Sequence, residues 1–274
     1  MRFAICQELY EATPWAEQCR LIAEAGYSGI EAAPFALAEG PESLSAAVCR
    51  ELRAVAEGHG LRIIGLHWLL ARTQGLHLTS PDAEVRGRTA EHLRRLTRIC
   101  AQLGGELMVF GSPQQRNLVP GVTVEQAYEF AADVFRQCTE EFERSGVTLC
   151  FEPLTPKETN FINTCADAVQ LIERIDHQSV RLHQDVKAML GAEAESIPEL
   201  IHRYHSLCGH FHVNDTNLLG PGMGETDYVP ILKALLDSRY AGWVSVEVFD
   251  YSPGAQHIAT RSLEYMQRVL KECC

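Results

Sequence analysis

The chain has 274 residues, 46% of them apolar, 22% charged and 8% aromatic, enough for a large packed core and inconsistent with disorder or a small disulfide-stapled scaffold. Its formal charge of -12, from 24 basic and 36 acidic residues, repels polyphosphate and disfavours nucleic acid as a partner. Ten cysteines without a Cys-x-x-Cys pair read as reduced thiols, with Cys273 and Cys274 expected in an exposed tail.

The opening segment MRFAICQELYEATPW meets polar and charged residues before any apolar run long enough for a signal sequence, and nowhere do about 18 apolar residues run together. A cytoplasmic protein with no membrane partner is the expectation. Short β-branched-rich runs then alternate with longer helical periodicity, which signals βα units around a parallel sheet. The expected strands are Phe3–Cys6, Gly29–Ala32, Arg62–Leu66, Leu107–Phe110, Thr148–Phe151, Val180–Gln184, His210–Val213 and Trp243–Val248. Eight repeats point to the α/β class and a single (β/α)8 TIM barrel domain over residues 1–274. Between the fourth and fifth strands, Val124, Ala127, Tyr128, Ala131, Val134, Phe135, Cys138 and Phe142 recur at three- and four-residue steps, the inward face of a helix. Gly26, the Gly58-His-Gly60 run and Gly146 stand where helices stop, as left-handed C-caps. No G-x-G-x-x-G follows the first strand, which removes the main reason for an open doubly wound sheet.

In such a barrel the active site is built at the carboxyl ends of the strands. Glu152, Asp185, His212 and Glu247 come one each from the last four strand ends. Taken singly, each carboxylate is as well explained by a helix cap or an arginine partner. Four at equivalent repeat positions are a different matter, because three carboxylates and an imidazole cannot share one space uncompensated, and one divalent metal ion is the usual solution. The oxygen-rich donor set favours Mn²⁺, Mg²⁺ or Co²⁺ and also admits Zn²⁺.

The runs Leu-Cys-Phe-Glu152-Pro, His-Gln-Asp185, Gly-His-Phe-His212-Val-Asn-Asp and Val-Glu247-Val-Phe, with the Gly-Met-Gly-Glu-Thr-Asp227-Tyr turn, resemble the xylose-isomerase-like barrel superfamily. The sugar phosphate isomerase/epimerase branch, which includes the tagatose and psicose 3-epimerases, fits best. The resemblance implies that Glu152, Asp185, His212 and Glu247 are metal ligands, that Glu152 and Glu247 double as the catalytic acid/base pair, and that Glu158 binds a substrate hydroxyl. It departs at two positions. Where the epimerases carry a substrate-binding histidine after the aspartate ligand this chain has Ala188, and where they carry an arginine after the histidine ligand it has Leu218.

Other strand-end residues carry weaker signals. His67 reads equally as a substrate contact or a satisfied core histidine, and Trp68 as an apolar wall beside it. Glu31 is placed to accept sugar hydroxyls or orient a ligand, against pairing with an arginine. Lys187 and Arg116 are candidates for a phosphate or an oxyanion, against ordinary surface exposure. Asn160 and Asn163 suit a polyol, although helix capping explains Asn163 equally well. His210 shares a strand face with His212 and is expected to be buried and structural.

The chemistry that follows is proton abstraction beside a carbonyl on a keto sugar or sugar derivative, through a metal-stabilised enediolate, giving an epimer or an aldose–ketose isomer. The alternative is a lyase or C-glycoside-cleaving enzyme on a 3-keto-sugar, in which the same proton loss ends in elimination. Apurinic endonuclease activity is disfavoured by the acidic balance and Ala188. A non-catalytic sugar-binding barrel and a homo-oligomeric assembly, dimer or tetramer, are left open.

Overall fold

The computed structural model describes residues 1–273. The chain alternates strand and helix: β1 (Arg2–Cys6), a 3-10 turn over Gln7–Tyr10, α1 (Trp15–Ala25), β2 (Gly29–Ala32), α2 (Pro34–Leu37), α3 (Ala46–Gly58), β3 (Arg62–Leu66), α4 (Ala83–Leu103) and β4 (Leu107–Phe110) form its first half. The second comprises α5 (Val124–Arg136), α6 (Thr139–Ser145), β5 (Thr148–Phe151), α7 (Cys165–Ile175), β6 (Val180–Asp185), α8 (Val186–Ala192), α9 (Ile197–Tyr204), β7 (Cys208–Val213), α10 (Tyr228–Asp237), β8 (Trp243–Val246) and α11 (Ala255–Glu272). All neighbouring strands pair in parallel, and β1 pairs with both β2 and β8, so the sheet closes into an eight-stranded barrel. No described helix is long and apolar enough to cross a membrane.

The expected strand over residues 243–248 ends at Val246, and β7 begins two residues earlier than expected, at Cys208. The single helix expected through Val124–Phe142 breaks at Gln137–Cys138 into α5 and α6. Its apolar periodicity runs on across the break, since Val134, Phe135, Cys138 and Phe142 are all buried on one side, which is why the pattern reads as one element. Thr123 and Thr164 start α5 and α7 with capping boxes through Gln126 and Asp167. Gly26 and Gly146 stop α1 and α6 with φ of 98° and 64°, the left-handed C-caps expected of them. Of the exposed tail expected at Cys273 and Cys274, Cys273 follows α11 directly and is half-buried, its thiol donating to the Val229 carbonyl at 3.5 Å; Cys274 lies outside the described residues.

Strand alternation sorts residues into two cores. Phe3, Ile5, Met108, Phe110, Leu149, Phe151, Leu182, Phe211, Val213, Val244 and Val246 face the helices in one large cluster. Their alternates face the axis. Ala4, Ile64 and Trp243, and Leu107, Val109 and Cys150, make small apolar clusters there. Above them the same strands carry Glu152, His183, Asp185, His210, His212 and Glu247, all buried, so the interior changes from apolar floor to polar mouth along its length.

Glu141 on α6 is 5% exposed and accepts hydrogen bonds from Arg98 at 2.7 Å, Arg144 at 2.5 Å and Ser145 at 3.0 Å. Burial raises its pKa, but the Arg144 and Arg98 donors outweigh that and bring it from 4.5 down to about 2. A carboxyl whose value falls on folding contributes stability above its unfolded value and loses it as the pH drops through the folded one. Glu141→Gln is therefore expected to lower the thermal midpoint at neutral pH and to flatten the fall in stability between about pH 4.5 and 2, a difference that melting curves across that window will detect.

Candidate metal centre at the mouth of the barrel

β5 and β8 are each followed at once by a glutamate, Glu152 and Glu247, while Asp185 ends β6 and His212 lies within β7. One donor atom from each of the four falls within 4.8 Å of the others, and all four residues are buried. Register shifts at Ile30/Glu31 and at Leu182/His183 re-aim the side chains that follow them into this space.

Each donor is held by different neighbours. A Cβ on Gly111 would fall 1.9 Å from Glu152 Oε2, so the absence of a side chain after β4 makes room for this carboxylate. Asp185 accepts from the Ala188 amide at 2.7 Å, capping α8, and from Asn214 Nδ2 at 2.6 Å. His212 Nε2 lies 3.0 Å from both oxygens of Glu31, and its Nδ1 3.2 Å from Glu247 Oε2. The other Glu247 oxygen is 3.2 Å from His67 Nδ1, whose Nε2 is 2.8 Å from Glu8 Oε2.

The electrostatics are uneven. Burial, then the charges of Glu247 and Asp185, push Glu152 well above the carboxylate range. Burial and Glu247 likewise raise Asp185 to about 6. Burial also acts to raise Glu247, but His212 and His67 more than offset it and hold it below its ordinary value. The protein's own cations thus satisfy one carboxylate of the three and leave two destabilised as anions, which is the deficit that a divalent cation among these oxygens would remove. The donor set fits such an ion.

Beside the four donors is a cleft lined by His67, Trp68, Val109, Gly111, Pro113, Glu152, Leu154, Glu158, Glu247 and Phe249. Trp68 and Phe249 meet edge to face at 6.5 Å. Lys187 Nζ is 2.8 Å from Glu158 Oε1 and lies 4.0 Å from the Phe249 ring centre. His67, Trp68 and Lys187 are therefore at or beside the cleft, where strand-end reasoning puts them, and so is Glu158, which the family resemblance implies.

Three expected contacts lie elsewhere. Arg116 is fully buried, and its guanidinium donates to the main-chain carbonyls of Glu152, Phe161 and Ile162, so it braces the loop after β5 and has no donor facing a phosphate. Glu31 has no exposed surface and sits beneath the mouth, joining His212 to His210, and it is not among the residues that line the cleft. Asn160 is exposed and accepts from the Leu118 amide. Asn163 is no cap either: Thr164 caps α7, and Asn163 donates to the Leu154 and Thr159 carbonyls. His210 is buried against Glu31 and Ser245 as expected.

Sequence reasoning names Asn214 only as part of the run after β7 and does not single out Glu8 or His183. For His183 the signal is present, since it stands two residues before Asp185 in β6 and period-two alternation carries both to one face; Glu8 lies in the 3-10 turn after β1, where strand alternation does not apply. His183 is fully buried, both ring nitrogens lack partners, and Nε2 is 3.8 Å from Glu152 Oε1.

Gly111→Ala tests the steric account of Glu152. A methyl group there must displace the carboxylate, and the folded variant is expected to bind Mn²⁺ at least about ten-fold more weakly in calorimetric titration. Unchanged affinity would mean that Glu152 is not held where the geometry puts it.

The sequence profile of the xylose isomerase-like TIM barrel family matches residues 19–269. The D-psicose 3-epimerase of Ruminiclostridium cellulolyticum is 29% identical over 204 residues, covering 73% of this chain and 67% of that protein. A fructoselysine 3-epimerase of Escherichia coli O157:H7 is 21% identical over 278 residues and 96% of each chain. The crystal structure of a D-psicose 3-epimerase in the presence of D-fructose superposes with a TM-score of 0.85 at 23% identity, covering 98% of this chain and 99% of that one. An L-ribulose 3-epimerase superposes at 0.86 and 19% identity, over 99% and 95%; both likenesses are of fold. With a profile match across nearly its whole length and a closed barrel to carry it, this chain belongs to the xylose isomerase-like TIM barrel family.

Proposed function

We propose that this protein is a divalent-metal-dependent epimerase or isomerase of keto sugars, with residues 1–274 acting as one catalytic unit. The observation that carries the reading is the convergence of Glu152, Asp185, His212 and Glu247 within 4.8 Å beside the cleft. The names of the relatives support it: they are epimerases of psicose and fructoselysine.

Glu152, Asp185, His212 and Glu247 would hold the metal, with Mn²⁺, Mg²⁺ or Co²⁺ favoured over Zn²⁺ by three oxygen donors to one nitrogen. A bound divalent cation supplies positive charge where negative charge develops on the substrate carbonyl oxygen. Glu152 and Glu247 then serve as the acid/base pair. One takes the proton from the carbon between carbonyl and hydroxyl, and the other delivers a proton from across the cleft, inverting that carbon; delivery to the neighbouring carbon gives the isomer. Glu158, fixed by Lys187 and by the Thr155 hydroxyl at 2.8 Å, is placed to accept substrate hydroxyls. Trp68 and Phe249 give the cleft an apolar wall.

Incubating the Mn²⁺-loaded protein with a panel of free ketoses in deuterated water is expected to incorporate deuterium at the epimerised carbon, followed by proton NMR. Glu152→Gln should cut turnover on the order of 10²–10⁴-fold. Removing the metal with a chelator should abolish exchange, and adding Mn²⁺ back should restore it. Absence of exchange across the panel, with metal bound, overturns the proposal.

A further inference from the structure

We infer that Glu8 and His67 are positioning residues for Glu247: a buried carboxylate–imidazole–carboxylate chain that fixes one member of the acid/base pair by hydrogen bonds of a kind that the Glu152 carboxylate lacks. The inference rests on the acid/base reading above and deepens it by giving the two glutamates different mechanical constraints.

The chain of contacts is continuous. Glu8 Oε2 lies 2.8 Å from His67 Nε2, and His67 Nδ1 lies 3.2 Å from Glu247 Oε1. Both ring nitrogens are bound to carboxylate oxygens, so the imidazole cannot flip without breaking both contacts. The exposures of Glu8, His67 and Glu247 are 6%, 1% and 5%, so water does not replace what is lost. The second Glu247 oxygen is 3.2 Å from His212 Nδ1, which leaves this carboxylate a histidine on each oxygen. Glu152 instead faces His183 Nε2 at 3.8 Å, beyond hydrogen-bond distance.

Backbone features hold the far end in place. Glu8 sits in the tight turn Gln7–Tyr10 directly after β1, and Gln7 ties that turn to the β2–α2 junction by accepting from the Ala33 amide at 3.3 Å. Trp68, next to His67, has φ of 52°, a left-handed conformation costly for a bulky side chain. That kink turns the chain immediately after His67, one residue beyond the end of β3 at Leu66. Neither the strained tryptophan nor a buried glutamate in a 3-10 turn is needed to close the barrel.

Two bases on opposite faces each exchange the proton of one epimer, so a device that acts on Glu247 alone must show as an asymmetry. At saturating Mn²⁺, Glu8→Ala is expected to slow deuterium wash-in from the epimer served by Glu247 about 10–100-fold, the effect of misplacing a catalytic group by about 1 Å, and from the other epimer by less than a third of that factor. KM should change little. Glu8→Gln keeps an acceptor for His67 and is expected to recover most of the loss. Mn²⁺ affinity of the metal-free Glu8→Ala protein, read by titration, should fall about ten-fold, because Glu247 is also a proposed ligand. Thermal midpoints identify a variant that fails to fold, in which case His67→Asn carries the same comparison. Equal slowing of both epimers, or none in either, overturns the inference. So does a wild-type stoichiometry of two metal ions per chain falling to one in Glu8→Ala, which would make Cys6, Glu8, His67 and Glu247 a second metal site. A wild-type enzyme without exchange overturns the acid/base reading itself, so the two failures are distinguishable.

Discussion

Closure of the sheet is the constraint on which the site depends. Because β1 pairs with β8 as well as β2, residues near the start of the chain come against residues near its end. Glu31 meets His212 across 181 positions of sequence, and His67 meets Glu247 across 180. An open sheet built from the same strands would keep β1 and β8 on opposite edges, and Glu247 and His212 would lose the carboxylate and imidazole partners that orient them. Parallel strands also point all eight carboxyl ends one way, so every repeat can contribute one side chain to the same mouth.

Gathering so much charge in a buried space is costly, and the fold meets that cost by division of labour. The large apolar core lies outside the barrel, between strands and helices, where Phe110, Phe135 and Phe151 pack ring against ring at 5.3–5.8 Å. The interior is free to be polar above its apolar floor. There, three of the ionisable groups have specific partners: Asp185 has Asn214 and a helix N-terminus, His212 has Glu31, and Glu247 has two histidines. Such partners reduce the penalty of buried charge only where geometry is good, and where they are missing, at Glu152 and at the unpartnered ring of His183, the interior is poised to accept something further.

The basic residues near the mouth show how far a reading of positions can mislead. Arg116 follows a strand end, as a phosphate-binding residue would, yet it is buried and committed to three main-chain carbonyls, with its guanidinium 4.9 Å from the Phe151 ring centre. Lys187 does lie beside the cleft, but with Glu158 as its counter-ion. Both assignments were chemically reasonable. Which donors remain free is a property of the packed loop after β5, to which residues from distant segments contribute.

From the sequence alone came the eight strands, each to within two residues at either end, and the four candidate donors at the ends of β5 to β8. Periodicity of two and of 3.6 residues is written locally, by side chains that must alternate or recur to face a core, and strand ends in a barrel share one rim whatever the loops do. The long-range pairings were decided by the tertiary structure: Glu31 beneath His212, Glu8 behind His67, Arg116 inside its loop, the break between α5 and α6. Each depends on the register of closure and on two local shifts in pairing, at Ile30/Glu31 and Leu182/His183. A one-residue slip there turns a side chain from the axis to the helices, and no pattern within a single segment records which way it turned.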